Sequence, residues 1–220
     1  MPFARRTAIL TLAGAALLLP AATTTAKTPD HGARARHAVL AHVSLGPTGR
    51  VAKQAARARA RAHAAQDCAN ADVTPNGSNG GDIRDAILCL HNQIRAQRGL
   101  PLLHVNAKLR RAADGHSQDM VSREFFDHTT PDGVTMVTRI FRARYASNRV
   151  GWSLGENLAW GTGSLSTPRG VMQAWMNSPG HRANILRRDY REIGIGVVTG
   201  IPSGDSDGAT YTTDFGVIHR

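Results

Sequence analysis

At 220 residues the chain suits one domain of ordinary size with an extension, and its net charge is +11. That charge is local: residues 67–220 hold 17 basic and 15 acidic side chains, while residues 27–66 hold 8 basic residues and one acid, Asp30. The body is therefore nearly neutral. No recognition helix or stacking platform accompanies the basic stretch, which excludes nucleic acid as the main partner.

The first 26 residues read as a signal peptide. Arg5 and Arg6 precede an apolar run, Ala8 to Leu19, that is too short to span a bilayer. Thr24-Thr25-Ala26 offers small residues for cleavage. The paired arginines leave Sec and twin-arginine export both open. No later segment is apolar for long enough to form a transmembrane span. Export to the extracellular space or cell envelope follows. Residues 27–66 are rich in alanine and arginine and have no apolar face to pack, so they are expected to be a disordered or loosely helical linker. A spacer is the plainer reading of that arm. Attachment to an anionic cell surface is the electrostatic alternative.

Cys68 and Cys89 are the two cysteines. In an oxidising compartment an isolated pair is expected to bridge, pinning the turn-rich lead-in to the first helix of the domain. That helix carries Ile83, Ile87, Leu90 and Ile94 at helical spacing, with Asp82 as its expected cap and Gly99 and Pro101 as its stop. Asn106 caps a second helix, whose face holds Leu109, Ala113, His116 and Met120. A short helix is expected around Val134 to Arg142. Thr167 and Pro168 open a third long one, ended by Pro179. "EIGIGVVTG" and "ATYTTDFGVI" read as strands joined by a polar loop. Asp205 and Asp207 in that loop lack the glutamate that completes an EF-hand. Helices first and strands last give an α+β fold.

Four residues are candidates for chemistry: His116, His128, Glu156 and His181. His116 lies on an apolar stripe and reads best as a satisfied core residue. Its neighbour Ser117 points about 100° away on a helix, which makes a poor nucleophile–base pair. No nucleophile elbow is present. Asn157 and Asn184 suit backbone bonds within their loops, and Trp152, Trp160 and Trp175 suit core or cleft walls.

The stretches "LHNQIRAQRGLPLLHVNAKLRRAADGHSQDM", "FFDHTTPDG", "GENLAWG" and "WMNSPGHRANIL", followed by "IGIGV", resemble the bacterial branch of the CAP superfamily. This is the group of cysteine-rich secretory proteins, antigen 5 and pathogenesis-related 1, also called the SCP domain. The resemblance runs from about Cys89 to Ile218, which makes residues 67–220 the CAP domain. It implies a three-layer α-β-α sandwich with a small central antiparallel sheet and a cleft lined by two histidines and two acids. Carried over by motif, the cleft holds His128, Glu156 and His181. Ser178 stands where eukaryotic members often place the second acid.

The function this implies is a secreted, non-catalytic protein whose His/Glu-lined cleft binds an extracellular small molecule, lipid or envelope component. No cofactor is required for it. A weak site for zinc or another divalent ion, with His128 and His181 as ligands, is equally compatible with the residues, as is a hydrogen-bonded polar cluster. Two other functions stay open. One is a metal-dependent hydrolase with Glu156 as general base. The other is an envelope tether acting through the basic arm. Oligomeric state and ligand identity are not legible in the residues.

Overall fold

The computed structural model describes residues 22–25, 47–65 and 67–219. The basic and apolar parts of the expected signal peptide lie outside these residues. Ala22–Thr25 forms a short strand, β1. Pro47–Ala65, inside the stretch expected to be a disordered or loosely helical linker, forms helix α1. Alanine and arginine are among the better helix formers, and this run is dense in both. Residues 51–58 are all exposed, so this part of the helix buries no apolar face of its own.

Helix α2 spans Gly80–Gln97 and begins two residues before Asp82. Asp82 lies in its first turn and complements the helix dipole there, rather than capping it. After the two-residue strand β2, His104–Val105, helix α3 runs Ala107–Ser122. Asn106 caps α3 as expected, its side-chain oxygen accepting from the Lys108 and Leu109 amides. Helix α4 is Met136–Arg142, and strand β3 is Gly151–Gly161. Helix α5, Pro168–Asn177, has Thr167 as N-cap and Pro168 at its first turn. Pro179 ends α5 and then opens a further helix, α6, Pro179–Leu186. His181 is thus helical, because proline fits the first position of a helix as well as the end of one. Strands β4, Glu192–Thr199, and β5, Ala209–His219, follow.

The sheet order is β1-β3-β5-β4-β2, antiparallel throughout except where β2 pairs with β4. Alternation along the strands sorts the two faces. Ile193, Ile195, Tyr211 and Phe215 meet Ile83, Ile87, Leu90, Val171, Trp175 and Ile185 from α2, α5 and α6. On the other side, Trp152 and Leu154 pack with Leu109, Ala112, Met136 and Ile140 from α3 and α4. The result is the α-β-α sandwich with a small, mainly antiparallel sheet.

Two details fix the layers. A Cβ on Gly194 would lie 2.1 Å from the Leu109 carbonyl carbon, and one on Gly196 would lie 2.4 Å from that of Ala113. The "GIG" of β4 therefore lets the α3 backbone lie directly on the sheet. On the opposite side, the fully buried Arg95 of α2 donates to the Pro101, Ile185, Arg187 and Tyr190 carbonyls. It binds α2 to the exit of α6, and so places the helix that carries His181. The Cys68–Cys89 disulfide is present, with its Cα atoms 5.7 Å apart.

Candidate functional site

Glu156 sits near the middle of β3, on the face that packs against α3 and α4. Its side chain is fully buried. Both oxygens are engaged: His128 Nδ1 lies 2.8 Å from Oε1, and Arg139 Nη2 lies 2.6 Å from Oε2. An ionised carboxylate only accepts, so the Nδ1 of His128 carries the hydrogen. Arg139 comes from α4 and also donates to the His128 and Val134 carbonyls, which fixes the loop that delivers His128. Burial alone would raise the Glu156 pKa. The Arg139 charge and the His128 bond outweigh it and hold the carboxyl well below its ordinary value.

His181 reaches the same region from the first turn of α6. Asn157, next to Glu156 on β3, donates to the His181 carbonyl at 3.1 Å. Asn184, one turn on, donates to the Glu156 carbonyl and to Asn157 Oδ1. These two asparagines hold α6 against β3, bonding between a strand and a helix rather than within loops as expected. The His181 ring is buried, and among the described residues neither of its nitrogens has a hydrogen-bond partner. Burial, and then the nearby His128, lower its pKa to about 4. Ser178 serves as the backbone hinge between α5 and α6, and its hydroxyl makes no capping bond.

His116 has the core placement expected of it. It is fully buried on α3, Nε2 donating to the Asp127 carbonyl at 2.9 Å, with burial lowering its pKa to about 4. Ser117 points elsewhere and donates to Thr212 on β5.

The sequence reading missed two members. Arg139 is one arginine among several in "RIFRAR", and nothing in its spacing marks it. Asp214 of β5 lies directly across from Glu156 in the β3–β5 register and is equally buried. It is a second acid beside Glu156, on a different element from Ser178.

Both Glu156 oxygens are engaged, Oε1 by His128 Nδ1 and Oε2 by Arg139, so the carboxylate serves as the partner of the His128 ring. Among the described residues no three His, Cys, Asp or Glu side chains stand together as a ligand group.

Known proteins resemble this chain in the region just described. Over 111 residues, 50% of this chain, it is 37% identical to the uncharacterized protein YkwD of Bacillus subtilis (strain 168), covering 40% of that protein. It is 32% identical over the same length to the uncharacterized membrane protein YlbC of the same organism, covering 30% of it. The chain thus spans less than half of either relative. A crystal structure of an extracellular protein containing an SCP domain from Bacillus anthracis superposes with a TM-score of 0.51 at 28% identity, covering 66% of this chain and 45% of that one. An outer surface protein from Borrelia burgdorferi gives 0.54 at 20% identity, over 67% of this chain and 100% of that one, a likeness of fold. The family model for cysteine-rich secretory proteins, CAP, matches residues 88–213, which include His128, Glu156, His181 and most of both layers. The chain belongs to the cysteine-rich secretory protein (CAP) family.

Proposed function

We propose that this is an exported CAP-domain protein that binds an extracellular ligand through the cleft around His128, Glu156 and His181 without transforming it. The observation that carries this reading is the engagement of Glu156. A general base must be reachable and must have a pKa near the working pH. Glu156 is fully buried, clamped by Arg139 and His128, and held far below that range. His128 and Arg139 keep the site's small exposed surface, 15% and 10% of their side chains, and so form its mouth.

Export is supported by the leader-like first 26 residues, by the disulfide and by the extracellular description of the Bacillus anthracis protein. Residues 27–66 would then be a basic spacer between leader and domain. Among the described residues no helix is long and apolar enough to cross a membrane.

The test is to recover the protein from culture medium and identify by mass spectrometry what co-purifies with it. A bound small molecule that is lost in His128→Ala supports the reading. Turnover of an ester or peptide panel that disappears in Glu156→Gln would overturn it in favour of hydrolysis.

A further inference from the structure

We propose that Asp214 is the proton-bearing acid of this site, paired with Glu156 so that the two carboxyls hold one proton between them. The pairing is geometric first. Glu156 and Asp214 are direct Cα partners across β3 and β5, so their side chains leave the sheet on the same face as neighbours. Both residues are 0% exposed.

Their partners are unequal. Glu156 accepts from His128 and is ion-paired to Arg139, one cation for one anion. Among the described residues no donor reaches either oxygen of Asp214. An ionised Asp214 would be a second buried anion with no donor of its own beside the first, a costly arrangement. Protonation removes the charge and turns one Asp214 oxygen into a donor, with the Glu156 carboxylate opposite as its acceptor. Only the protonated form gains a bond here.

The surrounding charges agree. Glu156 on β3 disfavours a second anion, and Arg139 on α4 only partly offsets this. His116 on α3 stays neutral near neutral pH and adds no compensating charge. Burial acts in the same direction as Glu156 and raises the Asp214 pKa. An acid kept for structure alone would accept bonds from backbone or side-chain donors, as the half-buried Glu192 does from Tyr145 and Asn106 at 2.7 Å. The assignment does not depend on which ligand, if any, the cleft binds.

The experiment is carboxyl carbon-13 NMR of the full chain with labelled aspartate, the Asp214 signal being assigned by its absence in Asp214→Asn. At about pH 6 the exposed aspartates are ionised and Asp214 is expected to keep the shift of a protonated acid. In Glu156→Gln the competing anion is gone and Arg139 is released, so the Asp214 midpoint should fall by about one pH unit or more. An Asp214 already ionised at about pH 6 in the unaltered chain overturns the proposal, as does a midpoint unmoved by Glu156→Gln. Should that variant not fold, Asp214→Asn decides by itself. It keeps a donor and no charge, whereas the unaltered chain must take up a proton to fold at both values, so it should exceed the unaltered chain in thermal midpoint at about pH 6 and by more at about pH 9. A lower midpoint at both values overturns the proposal.

Discussion

Arg139 and Glu156 form an ion pair of 2.6 Å in which the carboxylate is fully buried and the guanidinium side chain is 10% exposed. The pair joins α4 to β3 and fixes the loop that carries His128. Removing one partner of a buried pair strands the other charge. Arg139→Ala should therefore destabilise the domain by about 3–5 kcal/mol, read as a lowered denaturant midpoint. Arg139→Lys should recover part of this, since it restores charge but not the forked geometry. A change within a few tenths of a kcal/mol, the range of a surface pair, would contradict the burial of this contact.

Acid should unfold the protein earlier than its ordinary carboxylates alone would dictate. His91, His116 and His181 have folded pKa values lowered to about 4 from 6.5, burial being the first cause in each. Below 6.5 the unfolded chain takes up protons that the folded chain refuses. Their contribution is complete above that value and is lost as pH falls towards about 4. Glu156, also lowered, adds a loss that begins near its ordinary 4.5 and continues below it. Asp214 acts in the opposite sense, its contribution fading from its ordinary 3.8 up to its raised pKa, and so offsets part of the histidine effect. Thermal midpoints across this range should rise steadily between about pH 4 and 6.5. A flat profile there would rule out buried neutral histidines.

Gly194→Ala and Gly115→Ala should differ in sign. A methyl at position 194 meets the Leu109 backbone, which cannot yield without moving α3. That should cost about 2–3 kcal/mol as an overpacking strain. At Gly115, an exposed site on α3, nothing lies within 4 Å of the added Cβ. Alanine there should add about 0.5–1 kcal/mol through helix propensity. Equal effects in a urea titration would show that α3 does not lie flat on β4.

Replacing Cys68 and Cys89 by serine should cost roughly 3 kcal/mol, as expected for opening a loop of 21 residues. The loss should persist in the oxidised state and match that of the unaltered protein under reductant. A variant as stable as the oxidised parent would mean that the lead-in from Asp67 to Asn79 is held by other contacts, such as the Arg169–Asp72 pair at 2.8 Å.

What could be read directly in the residues was whatever depends on neighbours in the chain. The apolar stripes of α2 and α3, the Asn106 cap, the opening of α5 at Thr167-Pro168 and the two strands β4 and β5 are local patterns, and the structure has each of them. Strand β3 was harder. "GWSLGENLAWG" has glycines where strands usually have branched residues, and most of it is buried on both faces, so period-2 alternation is hidden. Helix α6 was obscured because one proline both ends α5 and begins the next helix.

The motifs, through family resemblance, named His128, Glu156 and His181 and implied an acidic pair. By itself the sequence determined the CAP-type α+β sandwich and singled these residues out as its candidate site. Tertiary structure alone decided how they are used. It brought Arg139 from α4 and Asp214 from β5 to Glu156, across separations in sequence that no local pattern reports. The physical reason is that a buried charge must be balanced by whatever the fold places beside it. Register across β3 and β5, and the seating of α4 on the sheet, set those neighbours.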